Sequence, residues 1–223
     1  KALDSNTIGS ANTANGYDAL QANTTGYNNS AVGHDALYNS TTGHKNTALG
    51  TYSLFYNTTG NDNVAIGNDA LYSTQTGNYN TAIGVAAGSG TASNSFSNNV
   101  LVGYQTGYVL TTGSNNILLG YKAGNNLTSG ANNIVLGYDI DAPSATSANT
   151  LTIGNLIFAT GVDGTGTTLS SGNVGIGTTS PAYKLDVVSS TTTGGLGVTA
   201  SSVTTGTGAS MVFNGLTGGV GLK

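Results

Sequence analysis

The side chains in this sequence that could carry out chemistry are nine Asp, five Lys, two His and twelve Tyr; Cys, Trp, Arg and Glu are absent. Without Cys there is no thiolate nucleophile, no thiolate metal site and no disulfide framework. His34 and His44 lie ten residues apart, and a metal pair would need further ligands at set spacing, which the flanking residues do not offer. They read as surface histidines. Asp18, Asp35 and Asp69 each stand two residues after a recurring glycine and could line up as an acidic row for Ca²⁺. Tyr52 interrupts that row, and the Gly/Asp nonapeptide of calcium-binding β-rolls is missing, so no metal is expected.

Glycoside hydrolysis uses two carboxyl groups flanking one bond. No Asp pair is marked by the pattern, so neither an enzyme nor a cofactor is expected. Gly161-Val-Asp-Gly-Thr-Gly166 lacks the Lys-Ser/Thr and the following helix of a phosphate loop and reads as a linker. A net charge of -4 with five scattered Lys gives no basic stripe for nucleic acid or an anionic membrane. No apolar run approaches the ~20 residues of a membrane span. The sequons Asn23-Thr-Thr25 and Asn57-Thr-Thr59 recur because the repeat around them recurs. Two rows remain as surface candidates. Tyr38, Phe55 and Tyr72 could bind a glycan or another surface, although rows of this spacing are more often packing. Thr24, Thr41 and Thr58 could bind ice, but adjacent threonines before a glycine fit a turn better than a flat rank.

Whatever these rows do, a repeat must position them. Gly (35), Thr (35) and Asn (27) make up well over a third of the 223 residues. A glycine returns every 17 residues at Gly16, Gly33, Gly50, Gly67 and Gly84, then after a 19-residue step at Gly103, and again at Gly120, Gly137 and Gly154. Before it stands a short apolar triplet opened by Asn, as in Asn46-Thr-Ala-Leu-Gly50 and Asn116-Ile-Leu-Leu-Gly120. A Thr-Thr-Gly mark follows about ten residues later at Gly26, Gly43, Gly60 and Gly113, and a second apolar segment such as Asp35-Ala-Leu-Tyr38 lies between the marks. Glycine twice per repeat disfavours helix. The expectation is an all-β, parallel β-solenoid or β-roll with 17-residue coils, two short strands and two corners in each. In such a stack Asn29, Asn46, Asn63, Asn80, Asn99, Asn116 and Asn133, led by Asn12, form an amide ladder. Gly33, Gly50, Gly67, Gly84, Gly103, Gly120 and Gly137 mark corners.

A coil of this length has little interior. Val100-Leu-Val102, Ile117-Leu-Leu119 and Ile134-Val-Leu136 are apolar at three consecutive positions, so one face packs inward and the other needs a neighbour. Symmetric self-association, with a three-fold axis suited to a slender rod, is the expected cover, and a monomer covering that face with its own later segments is the alternative.

The Asn-x-Ala-[Val/Ile/Leu]-Gly repeats resemble the head repeats of trimeric autotransporter adhesins, in which three β-rolls pack around one axis. The longer unit, Asn63 to Gly77, is more similar to repeats of phage tail fibres and bacterial surface fibres. Asn173-Val-Gly-Ile-Gly-Thr-Thr-Ser-Pro-Ala-Tyr-Lys-Leu-Asp-Val187 resembles a segment found near the end of such fibres. The resemblance implies a homotrimeric structural fibre, extracellular, on the cell surface or on a virion, serving as an attachment rod. Its partners would be copies of itself and a cell-surface glycan or protein. A bacterial filament polymerising head to tail is the alternative, and an ice-binding solenoid a minor one.

Along the chain, residues 1–9 are a lead-in, 10–158 the solenoid, 159–172 a linker and 173–223 a Gly/Thr-rich β tail suited to assembly. Within the solenoid the stretch Ser89 to Asn98 carries the two-residue slip, and after Gly103 the Leu of the second segment gives way to Gly. Leu151 to Phe158 has the pattern of a closing strand pair. The chain opens on Lys1, which fits a processed product or a fragment.

Overall fold

Apolar triplets bracketed by Asn and Gly are too short to bury anything alone and must pair laterally. In the computed structural model of the protein they do so. The structure describes residues 1–91 and 94–188, and residues 1–188 fall in one compact unit. The strands are β1 (Thr13–Asn15), β2 (Ser30–Val32), β3 (Thr47–Leu49), β4 (Val64–Ile66), β5 (Thr81–Ile83), β6 (Val100–Val102), β7 (Ile117–Leu119), β8 (Ile134–Leu136), β9 (Leu151–Ile153), β10 (Ile157–Ala159), β11 (Val174–Ile176) and β12 (Leu185–Val187). They form one sheet in sequence order, and no helix occurs among the described residues.

From β1 to β9 every pairing is parallel and joins equivalent residues of successive repeats, Ala48 with Ala65 and Leu118 with Val135 for example. This is the expected β-solenoid with coils of about 17 residues. At its end β10 turns back antiparallel to β9, setting Phe158 opposite Thr152; β11 is antiparallel to β10, and β12 parallel to β11. The sheet therefore runs on past residue 158. The short strands expected around Val198, Val203, Met211 to Phe213 and Val220 lie outside the described residues.

Each coil holds one strand, where two were expected. The second apolar segment alternates residues of negative and positive φ: Asp35 (54°) and Leu37 (53°), Tyr52 (57°) and Leu54 (51°), Asp69 (56°) and Leu71 (52°). The period of two survives, and so does the ladder between coils. Leu37 N donates to Ser53 O at 3.0 Å and Asn39 N to Phe55 O at 3.1 Å, while Ser53 N turns back to Gly50 O within its own coil at 3.3 Å. A left-handed conformation costs an L-residue ~1–2 kcal/mol. At the leucines it is offset by a satisfied amide and a side chain with no exposed surface.

The core swaps walls halfway along the stack. In the first coils the inward strand residue is Ala (Ala31, Ala48, Ala65, Ala82), and the opposite wall supplies Leu (Leu20, Leu37, Leu54, Leu71), all fully or almost fully buried. From β6 onward the strand supplies Leu101, Leu118 and Val135; the opposite wall is already Gly88 in the coil of Ala82 and stays glycine at Gly107 and Gly124, with Leu110 and Leu127 buried three residues further on. A Cβ on Gly88 would lie 2.6 Å from Leu101 Cδ1, so the glycine is what lets the leucine cross the interior. Phe96, with no exposed surface, stands where other coils have the glycine of Thr-Thr-Gly and fills the coil at the changeover.

Amide ladders run beside this core. Asn63 Nδ2 donates to Asn46 Oδ1 at 3.1 Å and to Gly77 O at 2.8 Å, and Asn63 Oδ1 accepts from Asn80 N and Nδ2, both at 3.0 Å. The same contacts recur from Asn29 to Asn133. At the end Thr150 Oγ1 donates to Asn133 Oδ1 at 2.6 Å, and a hydroxyl replaces the amide. Burying such groups is tolerable because each is hydrogen-bonded on both sides. The glycines keep the coils close: a Cβ on Gly50 (φ 141°) would lie 2.5 Å from Gly67 O, and one on Gly43 would lie 2.6 Å from Gly60 O.

Candidate functional site

Side chains facing outward at one repeat position must stack at the coil spacing, so aromatic positions become aromatic columns. Tyr38, Phe55 and Tyr72 form one, with centroids 5.2 and 5.3 Å apart and planes 11° from parallel. Tyr52 and Tyr56 pack edge-on against it at 5.6 and 4.8 Å from Phe55. A second column, which the repeat pattern did not single out, joins Tyr104, Tyr121 and Tyr138 at 5.3 and 4.8 Å. It shows only when the residue after each anchor glycine is read down the coils. Lys122 Nζ lies 5.4 Å from the Tyr121 ring centroid.

The other candidate residues are distributed around the coil. His34 stacks on Tyr17 at 5.2 Å and meets Tyr52 edge-on; His44 stacks on Tyr27 at 4.6 Å, at a different repeat position. Among the described residues no group of three His, Cys, Asp or Glu side chains converges. Asp18, Asp35 and Asp69 occupy positions of positive φ, which Asp tolerates better than most residues, and this alone accounts for their recurrence. Asp18 accepts an ion pair from the Lys1 amino terminus, and His34 Nδ1 lies 3.3 Å from Asp35 Oδ2. Asp163 holds its own loop: it accepts from Ser171 N at 2.7 Å and Ser171 Oγ at 2.5 Å, which keeps its carboxyl below the ordinary range. The Thr row is committed internally, with Thr24 Oγ1 donating to Thr41 O at 3.0 Å and Thr41 Oγ1 to Thr58 O at 3.1 Å.

Two surface features remain. The first is the outer face of the sheet. The strand pattern is exposed, buried, exposed, so Val32, Leu49, Ile83, Val100, Ile117 and Leu119 point away from the core and are each over a third exposed. One of the two outer rows carries Ser30, Thr47, Val64 and Thr81 in early coils, mostly polar, then Val100, Ile117, Ile134 and Leu151 in later ones, all apolar. The stripe therefore widens toward β9. Beside it, Val162 N donates to Asn149 O at 2.8 Å, and residues 162–165 wall a cavity of about 340 Å³ with Ile117 and Ile134.

The second feature is a hollow of about 580 Å³ lined by Tyr52, Asn68, Asp69, Tyr72, Ser89 and Tyr108 among others. It lies where the 19-residue coil interrupts the aromatic column. Asn68 Nδ2 donates to Asp69 Oδ2 at 2.5 Å. Burial pushes the Asp69 carboxyl above its ordinary range against a smaller lowering by Asn68. Burial, then the neighbouring Tyr56 hydroxyl, raises the Tyr72 phenol as well.

Among the described residues no helix is long and apolar enough to cross a membrane. The sequence matches no protein-family model and no curated protein, and the fold matches no solved structure.

Proposed function

We propose that this chain is a structural fibre protein: a non-enzymatic attachment rod, extracellular or virion-borne, whose solenoids pack as a homotrimer. The observation that carries the reading is the apolar outer stripe on a stack whose backbone and Asn29 to Asn133 amides are hydrogen-bonded coil to coil. Covering a half-exposed Leu or Ile is worth on the order of 1 kcal/mol, and the stripe offers such residues at nearly every coil. A large exposed apolar strip signals an association surface. A straight, axial strip suits parallel copies around one axis, because each coil then meets its equivalent. The ladders supply stiffness, and the uncharged Thr/Asn/Gly surface limits nonspecific contact.

A second reading, head-to-tail filament assembly, draws on the sheet edges. β1 and β12 are the end strands among the described residues, and an open strand edge is a template for pairing with another chain. Ice binding finds less support, because the Thr24 and Thr41 hydroxyls are spent on backbone carbonyls. Thermal hysteresis in solution would restore it. Sedimentation of the purified chain distinguishes the first two readings. Discrete trimers support the rod, long uniform fibres support the filament, and a stable monomer at micromolar concentration overturns both.

A further inference from the structure

Aromatic residues recur five positions after the anchor glycine at Tyr38, Phe55 and Tyr72, and again at Tyr108. Between Tyr72 and Tyr108 the equivalent residue is Ser89, in a coil that reads Val85-Ala-Ala-Gly-Ser-Gly90. At the two positions that matter the side chains are small, Ala86 and Ser89, while the coils on either side carry Asp69 and Tyr72 or Gln105 and Tyr108 there. One rung of the column is missing, and the hollow of about 580 Å³ is the space it leaves. We propose that this hollow is a binding slot for a neutral pyranose sugar, gripped between Tyr72 and Tyr108 with Asp69 accepting its hydroxyl protons.

The size of the gap favours a saturated ring. Two rungs of about 4.8 Å separate the walls by ~10 Å. Carbon contacts of ~3.5–4.0 Å on each side leave about 2–3 Å for the ring itself, which a puckered pyranose with axial substituents fills and a flat aromatic does not. Apolar C–H faces of sugars pack on aromatic rings, and the volume lies within the range of small-molecule sites.

The polar groups choose the class. Asp69 Oδ2 is engaged by Asn68, and no described residue hydrogen-bonds Oδ1, which leaves an acceptor for a sugar hydroxyl. The Ser73, Ser89 and Thr91 side chains also line the slot and can donate or accept. No Lys lines it, so the carboxylate stands without a counter-charge and repels uronic acids, sialic acids and phosphates. The slot lies on the Asp69 to Ser73 segment of the coil rather than on the apolar strand stripe, so packing of copies through that stripe leaves it open.

The test is titration of the full chain with methyl glycosides of glucose, galactose and mannose and with N-acetylglucosamine, followed by saturation-transfer NMR and calorimetry. Glucuronic acid and N-acetylneuraminic acid serve as charged controls. At least one neutral probe is expected to bind with Kd about 1 mM or tighter, and the acids at least about tenfold more weakly. Ser89→Tyr refills the rung in a backbone that carries Tyr at equivalent positions, so it should abolish binding while the melting temperature holds or rises. Tyr138→Ala, in the other column, should leave binding unchanged. The proposal is overturned if no neutral probe binds, if the acids bind as well, or if Ser89→Tyr binds like wild type. It rests on the attachment reading only for the use of the sugar: a chain that sediments as a trimer yet ignores every sugar sinks this inference alone.

Discussion

Leu118 occupies the space that a side chain at Gly124 would need: a Cβ on Gly124 would lie 2.8 Å from its Cδ1 and 2.9 Å from its Cδ2. In the earlier coils the same two positions hold Ala48 and Leu54. At this pair of facing positions the coils of Ala48 and of Leu118 each hold one large side chain, supplied by one wall or the other. Gly124 has φ 62°, close to the 51° of Leu54, so the backbone at this position accepts either residue.

Exchanging the two should therefore be less harmful than either change alone. Leu118→Ala opens a cavity and should cost about 2–5 kcal/mol. Gly124→Leu overpacks and should cost about 1–3 kcal/mol. The double variant recreates the earlier arrangement at these two positions, although Leu127 stands where that coil has Asn57, and urea denaturation should show a favourable coupling on the order of 1–3 kcal/mol. Simple additivity would refute the wall-swapping account.

Breaking the amide ladder should be costly at any coil. Asn63→Asp leaves Gly77 O without its donor, takes one of the two Asn63 donors from Asn46 Oδ1, which keeps only the Asn63 backbone N–H, and adds a buried charge. A loss of several kcal/mol at pH 7 is expected. Because burial raises the new carboxyl's pKa in the folded state, the folded chain binds more protons than the unfolded one above about pH 4. The variant should therefore be closer to wild type at pH 4 than at pH 7, as read by thermal melts.

Asp69 of the unmodified chain follows the same sign with a smaller effect, since it is only partly buried and its carboxyl is raised chiefly by that burial. The folded state keeps the proton to a higher pH than the unfolded chain, whose carboxyl titrates near 3.9. The contribution of this group to stability is therefore greatest in acid and falls as pH rises through the raised value. Melting curves of wild type and Asp69→Asn between pH 3 and 7 should diverge in that window and run parallel above it.

The outer stripe can be separated from folding. Leu119 is 36% exposed on β7 and its side chain contributes little to the interior, so Leu119→Lys should leave the circular dichroism spectrum and monomer stability within about 0.5 kcal/mol. In the proposed trimer it would bring three charges to the shared axis. Sedimentation should then shift from trimer to monomer, with Thr47→Lys in an earlier coil less disruptive.

The solenoid was legible because each coil reuses the same residues at the same offset. Gly50 and Gly67 are spaced by the repeat and then lie against each other. The second segment misled for a physical reason. Asp-Ala-Leu-Tyr alternates with period two, and a chain alternating negative and positive φ has that period as well; nothing in Leu37 marks it as left-handed. The hollow was hidden more deeply. Tyr72 and Tyr108 are 36 residues apart, and Ser89 becomes a missing ring only once the 19-residue coil has been laid between its neighbours. Tyr38, Phe55 and Tyr72 were visible as a row, but the feature with room for a ligand lies at the row's interruption.

The hydroxyl of Thr150 that closes the amide ladder bears on how such a gene can change. The amide ladder offers the same donors and acceptors from Asn29 to Asn133, so an in-frame duplication of a 17-residue unit beside one with the same core wall would keep its ladder contacts. Length would then grow in steps of about 4.8 Å per duplicated unit with the ladder kept. The coil that ends on Thr150 cannot be copied inward in this way, because its hydroxyl lacks the second hydrogen of an amide with which to hold the next carbonyl. Duplication would thus lengthen the amide-laddered middle of the stack rather than the coil that Thr150 closes.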